Sequence, residues 1–478
     1  MNRAFLARSF FALCLTLVSY VALASPLVIH PGGAPPSSGP ANQLSTLLTA
    51  TCTNCWADAS TQVSTNSTMA SVAYSCDTPT SCPPGGNGPQ LSGSYGCGSP
   101  SICGTASFSG SSGPETAVIW GSCALSVRDD AVYCKGSGHT NYAGNEVYKF
   151  SFATLQWSLI DVPDLGGVGS GTNSGYSCGN YSASTHPLPQ HEYGIYLYDS
   201  IRHLLLEPNE GCANNNLYEM DPTAQSASAF GVYVSGGAPS AGMQNEFGVF
   251  DPGLNKAFWN YDQQGSGHNN YGLFVYDPTQ SVGSRWSILG TSEASREQNR
   301  TASLDPVHHL MLQFGGGVSD IGGVTAIGDI YDLTTGAVNP GCGQSTGEST
   351  YCISTTSGVT TCNNAVSSGV DWDLVISKHG LWCGGASLYT LDASSCSSSP
   401  CTPVVAALTI NAANTVTPAC STISSNCWTG SGTSTSGLYM VDGINKMFFY
   451  HPTYHAFVLV ANGFHSPTYF FKCDGVQC

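Results

Sequence analysis

Two closely similar motifs carry the residue types best suited to chemistry in this sequence. One reads GSGHTNY from Gly136 and the other reads GSGHNNY from Gly265. A histidine donates or accepts a proton near neutral pH, and the neighbouring amide and phenol can hydrogen-bond a polar ligand. These side chains either lock the polypeptide locally, as most buried polar groups do, or form a ligand site. They are His139, Asn141, Tyr142, His268, Asn270 and Tyr271.

An arginine pair favours the ligand-site interpretation. Only five arginines follow the first 24 residues, and Arg296 and Arg300 share one short segment. Two guanidinium groups can hold a carboxylate with parallel hydrogen bonds. If the protein is an enzyme, the predicted catalytic residues are His139, His268, Arg300 and Tyr142. The predicted binding residues are Asn141, His191, Glu192, Asn270, Tyr271 and Arg296.

This set of side chains suits an extracellular glycan, including an acidic one. A histidine or tyrosine base beside an arginine-bound carboxylate fits elimination at a uronic acid. Serine hydrolysis is disfavoured, because Gly175-Tyr176-Ser177-Cys178-Gly179 has neither the preceding strand nor the following helix of a nucleophile elbow. The alternative is a non-catalytic structural or adhesive protein, in which replacing His139 lowers stability rather than activity.

A sixfold repeat has to position these residues. Six segments alternate apolar and polar residues on both sides of a turn, which predicts six hairpins. The turn residues are Asp129, Asp199, Asp251, Asp305, Asp373 and His451. A third strand then follows at Tyr148, Tyr218, Tyr276, Tyr331, Tyr389 and Tyr469. We therefore predict an all-β, six-bladed propeller of four-stranded antiparallel blades, with seven blades still open because residues 437–450 could form an extra hairpin.

The antiparallel order of a blade brings the candidate residues to one rim. The second strand ends where the first begins, so loops joining strands two and three share a rim with loops entering each blade. Both GSGH motifs, Gln190-His191-Glu192 and the Arg296–Arg300 segment are expected there. The last repeat lacks a fourth strand, so closure requires an N-terminal strand. Weak strand signals occur at Leu44–Thr49 and Ala70–Tyr74.

Composition and charge restrict location and partners. Residues 1–24 have the anatomy of a cleavable signal peptide, residues 25–116 form a Ser/Thr/Gly/Cys-rich extension, and residues 117–478 form the propeller. Cleavage leaves 11 basic and 30 acidic residues, a formal charge of −19. Such a chain cannot assemble a basic face for nucleic acid, and no later segment is apolar enough to span a membrane. We expect a secreted or periplasmic monomer.

The cysteines predict disulfides rather than a metal site. Of 21 cysteines, Cys14 lies in the predicted signal peptide, which leaves an even number, as a fully paired framework in an oxidising compartment requires. The predicted pairs are Cys123/Cys134, Cys396/Cys401, Cys420/Cys427 and Cys473/Cys478. Cys52-x-x-Cys55 lacks a second ligand pair at zinc spacing. On a strand, the adjacent His308 and His309 would face opposite sides. We expect no metal and no cofactor.

The first repeat also resembles a known family. GSGHTNYAGNEVYKFSFATLQWSLI, from Gly136 to Ile160, resembles kelch-type propellers and the propeller domain of the galactose oxidase superfamily. The resemblance covers about three quarters of the chain, with glycines at 315–317 and 384–385 where the kelch doublet falls. The second and fifth repeats lack the Trp. The resemblance implies a kelch-like fold rather than an activity, because propellers host many functions, polysaccharide lyases among them. No motif places the residues of a copper oxidase.

Overall fold

The fold is described from a computed structural model of the chain. The described residues are 42–59, 61–65, 122–135, 147–161, 194–208, 216–223, 232–235, 247–260, 273–290, 301–314, 328–339, 369–382, 385–397, 403–418, 447–460 and 468–478. They belong to one compact unit, Ser38–Cys478. The predicted boundaries at residues 24 and 116 lie outside the described residues.

A short N-terminal segment precedes the first three blades. It contains α1 (Gln43–Ala50), β1 (Cys55–Asp58) and β2 (Ser64–Thr65). Blade 1 contains β3 (Cys123–Ser126), β4 (Ala131–Lys135), β5 (Val147–Ser151) and β6 (Gln156–Asp161). Blade 2 contains β7 (Leu197–Asp199), β8 (Leu204–Pro208), β9 (Asn216–Met220) and β10 (Val232–Ser235). Blade 3 contains β11 (Gly248–Asp251), β12 (Lys256–Asn260), β13 (Leu273–Tyr276) and β14 (Trp286–Leu289).

The remaining three blades repeat the same strand order. Blade 4 contains β15 (Thr301–Asp305), β16 (Leu310–Phe314), β17 (Gly328–Asp332) and β18 (Val338–Asn339). Blade 5 contains β19 (Gly369–Asp373), β20 (Lys378–Trp382), β21 (Leu388–Asp392) and β22 (Val404–Ala407). Blade 6 contains β23 (Phe448–His451), β24 (Ala456–Val460) and β25 (Thr468–Lys472). The prediction of an all-β, six-bladed propeller is confirmed.

The first strand of each blade is innermost, and successive first strands lie side by side around the axis. Each blade is antiparallel, and β2 adds a short parallel strand to the outer edge of blade 1. Side chains alternate between the preceding and the following blade, so the core lies between blades. Gly380 illustrates how closely the sheets approach, because a Cβ there would lie 2.1 Å from the Phe457 ring of the next blade.

Aspartates build the hairpin turn between the first two strands. Asp199 Oδ1 accepts the backbone N–H groups of Ile201 and Arg202, both at 2.9 Å. The same arrangement recurs at Asp251, Asp305 and Asp373. When the last residue of the first strand is counted as one, the fifth residue in every blade has a positive φ. Asp, Asn and His tolerate this backbone conformation better than most residues. These residues are Asp130, His203, Asn255, His309, Ser377 and His455.

The turn of blade 1 is built differently from those of blades 2 to 5. Ser126, not Asp129, ends the first strand and pairs across the hairpin with Ala131. Its hydroxyl oxygen accepts the Asp129 N–H at 3.2 Å, and the Asp129 carboxylate accepts hydrogen bonds from Ser126 and Tyr133. Asp129 therefore lies in the turn, as the sequence predicts, but Ser126 holds the position at the end of the first strand that Asp199 holds in blade 2.

The third-strand tyrosines occupy two different positions in the blades. Tyr276 pairs with Ala257, and Tyr331 takes the same place in blade 4. The other four tyrosines pair one pleat nearer the opposite end, as Tyr148 does with Cys134. A shift of two residues keeps a side chain on the same face of a sheet. The tyrosine repeat therefore identifies the blades without defining one common register.

An N-terminal strand supplies the fourth strand of blade 6. β1 pairs antiparallel with β25, outside the hairpin of β23 and β24. Trp56 of β1 is buried, packs 5.2 Å from Phe471, and donates its indole N–H to the carbonyl of Ala386 at 2.9 Å. The ring is thus closed by hydrogen bonds between segments far apart in the sequence.

The strand signal at Leu44–Thr49 is wrong, because this segment lies in α1. Asn42 caps the helix by accepting the Ser45 N–H at 2.9 Å, and Leu44 and Leu48 are buried. At the other end, Lys472 Nζ donates to the carbonyls of Leu48 and Thr51. The helix therefore rests on the closing strands. The second signal, at residues 70–74, lies outside the described residues.

Disulfides are present where the sequence predicts them within the described residues. Cys123 and Cys134 are bonded across the first hairpin, and Cys473–Cys478 is bonded near the C-terminal end. Cys52 and Cys55 are bonded to each other. Cys396 is also in a disulfide, but its predicted partner Cys401 lies outside the described residues. The pair Cys420/Cys427 lies outside the described residues.

Candidate functional site

The loop rim is defined by the strand ends that carry the candidate segments. β4 ends at Lys135, and its N–H donates to the carbonyl of Ser122 beside the start of β3. In blade 3 the N–H of Asn260, at the end of β12, donates to the carbonyl of Phe247 beside the start of β11. The two strand ends that precede the GSGH segments therefore lie at the same end of the ring as the starts of the first strands. Thr301, which follows the Arg296–Arg300 segment, begins β15 at that end.

The predicted site residues themselves lie outside the described residues. They are His139, Asn141, Tyr142, His191, Glu192, His268, Asn270, Tyr271, Arg296 and Arg300. Their roles stay predictions.

A buried ion pair lies at the base of the rim between blades 1 and 2. Lys135 Nζ binds the Glu207 carboxylate, and both side chains are fully buried. A buried pair of this kind contributes little net stability, but loss of one partner is costly because it leaves an uncompensated charge. Lys135 immediately precedes Gly136, so the pair fixes the end of the strand that carries the first GSGH segment. Sequence reasoning missed it because its two members come from different blades.

The central channel encloses a small cavity of about 220 Å³ lined by the first strands of all six blades. Asp371 is the one carboxylate among its described lining residues, and it accepts the N–H of Tyr450 at 2.7 Å. Ligand pockets usually measure ~300–1,000 Å³, so this cavity has room for water rather than for a glycan.

A serine and a histidine are hydrogen-bonded beside the channel. Ser303 Oγ lies 2.9 Å from His379 Nδ1 across the interface of blades 4 and 5, and both side chains are buried. Burial lowers the pKa of His379 to about 3, although the charge of Asp392 acts in the opposite direction. A neutral imidazole with so low a pKa is a weak base, so this pair is not arranged for nucleophilic catalysis.

Histidines also bind the turn aspartates on the opposite face. His309 Nδ1 lies 2.7 Å from the buried Asp251 carboxylate of the preceding blade, and His308 Nδ1 lies 2.7 Å from Asp305. His308 and His309 lie in the turn before β16, so the expectation from strand alternation does not apply to them. A Cβ at Gly253 would lie 2.7 Å from the His309 ring, so glycine leaves room for this contact.

A second aspartate repeat, which sequence reasoning missed, builds the turn between the third and fourth strands. Asp277 accepts the Thr279 N–H at 3.0 Å and the Thr279 hydroxyl, and it lies at the end of the Tyr276 strand. The same Asp-x-Thr or Asp-x-Ser arrangement occurs at Asp221, Asp332 and Asp392. These hydrogen bonds lower the pKa of Asp277 despite its partial desolvation. The recurrence of Asp-x-Thr or Asp-x-Ser at the end of the third strand in blades 2 to 5 could have revealed this turn from the sequence.

The part of the chain that the structure describes contains no group of three or more His, Cys, Asp or Glu side chains arranged to hold a metal ion. Among the same residues, no helix is both long and apolar enough to cross a membrane.

No family model and no curated protein matches this chain. Solved structures do match it. One is a Bacteroides thetaiotaomicron protein of unknown function, with 11% identity, 56% of this chain and 55% of that chain covered, and a TM-score of 0.31. The chain thus spans about half the length of that relative.

Two further solved structures are similar to parts of the chain. An auxiliary nutrient binding protein of the same bacterium has 11% identity, 74% of this chain and 69% of that chain covered, and a TM-score of 0.37. A nidogen/laminin complex has 10% identity, 60% and 84% coverage, and a TM-score of 0.31. Similarities this distant carry no argument about function, and the fold assignment rests on the six sheets of this chain.

Proposed function

We propose that the protein recognises or processes an extracellular glycan at the loop rim of its propeller. The observation that carries the proposal is the common end of the ring at which Lys135, Asn260 and Thr301 anchor the two GSGH segments and the arginine segment. Loops held on a rigid ring are a usual place for binding residues. The central cavity is too small for such a ligand, which favours the rim.

The residue types of the rim segments support a catalytic version of the proposal. In that version His139, His268 and Tyr142 provide proton transfer, while Arg296 and Arg300 hold the carboxylate of an acidic sugar. Fixing the carboxylate with two guanidinium groups would ease loss of the proton beside it, because charge that develops in the transition state is stabilised. The remaining amide and carboxylate side chains would position the sugar hydroxyls.

We propose further that the protein is exported, that it is monomeric and that its propeller is of the kelch type. The disulfides in the described residues are consistent with an oxidising compartment outside the cytoplasm. The glycine and tryptophan pattern of the first repeat supports the kelch type. Cleavage after Ala24 can be checked by N-terminal sequencing of the secreted protein, and the monomeric state by light scattering.

The test is product analysis after incubation of the mature protein with a panel of neutral and acidic polysaccharides. Elimination at a uronic acid creates an unsaturated product that absorbs at about 235 nm. We expect Arg300→Ala to lower kcat/KM by about 100-fold or more, because it removes a charge-assisted contact to the reacting group. Arg128→Ala, an exposed arginine of the blade 1 turn, is the matched control and should change nothing.

Other outcomes separate the alternatives. Binding on a glycan array without turnover would contradict the catalytic version and keep the recognition version. Absence of binding, together with a lowered melting temperature of His139→Ala, would contradict both and favour a structural or adhesive role.

A further inference from the structure

The outermost strand of blade 5 has an open edge. Among the described strands, β22 pairs with β21 alone. Just beyond β22, the N–H of Leu408 donates to the carbonyl of Leu388 at 2.9 Å. Residues that bond to the neighbouring strand alternate with residues that do not in an antiparallel ladder. The N–H and C=O groups of Val405 and Ala407 therefore point away from β21, toward the outside of the ring.

The residues of β22 do not shield this edge. Val404 is 66% exposed, and Ala406 and Ala407 are exposed as well. Proteins usually protect an edge strand with a charged side chain, a proline or a covering segment. β22 contains neither a charge nor a proline, and residues 393–441 contain no Asp, Glu, Lys or Arg. The outer edges of blades 6 and 1 differ, because β1 covers β25 and β2 pairs with the start of β6.

The edge is also held in place on both sides. Val405 packs against the core between blades 4 and 5, which fixes the strand itself. The segment after β22 is bound to the closing strand: the N–H of Asn411 donates to the carbonyl of Asn54 at 3.0 Å, and Asn414 Oδ1 accepts the N–H of Trp56 at 2.8 Å. Because β22 is ordered in advance, only a partner would lose conformational freedom on binding.

The backbone groups of the edge indicate what kind of partner fits. Val405 and Ala407 each present one donor and one acceptor, at the spacing of alternate residues in a strand. An extended polypeptide offers complementary groups at the same spacing, and strand addition of this kind is a common mode of peptide recognition. The small side chains of Ala406 and Ala407 leave room for β-branched residues beside them.

The charges near the ends of β22 restrict the partner further. Asp392 lies opposite the first residue of the strand, and Lys378 balances part of its charge. At the other end, Thr409 donates its N–H to Gln477 Oε1 at 2.9 Å, and the Gln477 amide in turn contacts Asp474 at 3.3 Å. The chain as a whole is strongly acidic. A partner with an uncharged middle and basic ends is therefore complementary.

We propose that the open edge of β22 is a docking site for an extended polypeptide segment of another protein, which adds to blade 5 as a further strand. The segment has β-branched or small uncharged residues in its middle and a basic residue at each end. Its backbone pairs with Val405 and Ala407. The proposal goes beyond glycan recognition and uses none of the rim residues.

The test uses a defined probe, an acetylated peptide of alternating threonine and valine with one lysine at each end. We expect calorimetry to show that it binds the full mature protein. In hydrogen exchange, the amides of Val405 and Ala407 should become protected by the peptide about 10-fold or more. The amides of Val404 and Ala406, which already bond to β21, should change less.

Ala407→Pro and Ala407→Thr are the matched variants. Proline removes the outward N–H without removing a bond to β21, and edge strands tolerate proline at such positions. We expect Ala407→Pro to weaken binding about 10-fold or more, and Ala407→Thr, which keeps the N–H, to stay within about twofold. The same peptide with glutamates in place of the lysines should bind about 5-fold more weakly at low salt, because the carboxylates near β22 repel it.

The proposal is overturned if the lysine-ended peptide does not bind at millimolar concentration, or if Ala407→Pro binds it as the wild type does. It is also overturned if light scattering shows that the protein alone forms a dimer that Ala407→Pro dissociates, because a second copy then occupies the edge. Should Ala407→Pro fail to fold, exchange in the wild type decides: Val405 and Ala407 amides that stay unprotected with peptide bound contradict the proposal. Loss or absence of glycan binding at the rim leaves these outcomes unchanged.

Discussion

The buried turn aspartates of blades 2 to 5 are held by specific hydrogen bonds, whereas the buried His379 stays neutral. The turn aspartates are fully buried, yet each accepts two backbone N–H groups, as Asp251 does from Gly253 and Leu254. His379 has no such compensation: its Nδ1 contacts Ser303, whereas its Nε2 has no partner within the described residues. Its imidazole therefore stays neutral in the folded state.

The lowered pKa of His379 predicts that the folded protein loses stability in acid. Its folded pKa of about 3 lies below the ordinary value of 6.5, so only the unfolded state takes up a proton between these values. The contribution is fully present above about pH 6.5 and is lost as the pH falls toward 3, by up to ~1.4 kcal/mol per pH unit. His379→Gln should remove this part of the slope in urea unfolding measured between about pH 4 and 8. Equal slopes for the variant and the wild type would contradict the assignment.

At the scale of the element, the hairpin is the unit that sequence and structure share. Each central hairpin combines alternating strands with a four-residue turn that ends on a residue with positive φ, such as Asn255. Turn geometry sets the register of the first two strands. No such turn sets the register of the third strand. Tyr276 and Tyr331 therefore pair two residues away from the position of the other four tyrosines, and this shift keeps the same face of the strand in the core.

Asp251→Ala should destabilise the protein by about 2 kcal/mol, because two turn N–H groups and the His309 ring lose their acceptor. Asp251→Asn keeps an acceptor oxygen for the turn and should recover about half of that loss. The measurement is denaturant unfolding with disulfides intact. Asp332→Ala removes a similar bond from an outer turn and should cost less than about 1 kcal/mol. Equal losses at the two positions would refute the special role of the buried turn.

At the scale of the whole molecule, stability depends on ring closure. β1 covers the edge of β25, and the Asn54 amide donates to Asp474 at 2.8 Å beside it. Partial desolvation alone would raise the pKa of Asp474, but backbone N–H groups of residues 476–478 and the Asn54 amide hold it at about 2. The joint is further tied by the Cys52–Cys55 and Cys473–Cys478 disulfides.

A chain that begins at residue 66 should lose cooperative unfolding at the wild-type melting temperature. It would expose the edge of β25 and the cavity left by Trp56, whose loss alone is worth ~3–5 kcal/mol. Addition of an oxidised peptide of residues 42–65 should restore the transition in calorimetry, and a scrambled peptide should not. An unchanged melting temperature of the shortened chain without peptide would show that closure is unimportant.

The blades could be read from the amino-acid sequence, because alternation of period two and turn-forming residues are local properties. It indicated six hairpins, the Cys123–Cys134 bridge and a last blade that needs a strand from elsewhere. Features that depend on packing between distant segments became visible in the folded ring. It made Leu44–Thr49 a helix, assigned closure to β1, placed Tyr276 and Tyr148 in different registers, and brought Arg202 and Arg285 to one tyrosine. Period-two patterns define the face of a strand and not its partner, so contacts between blades follow from the closed ring alone.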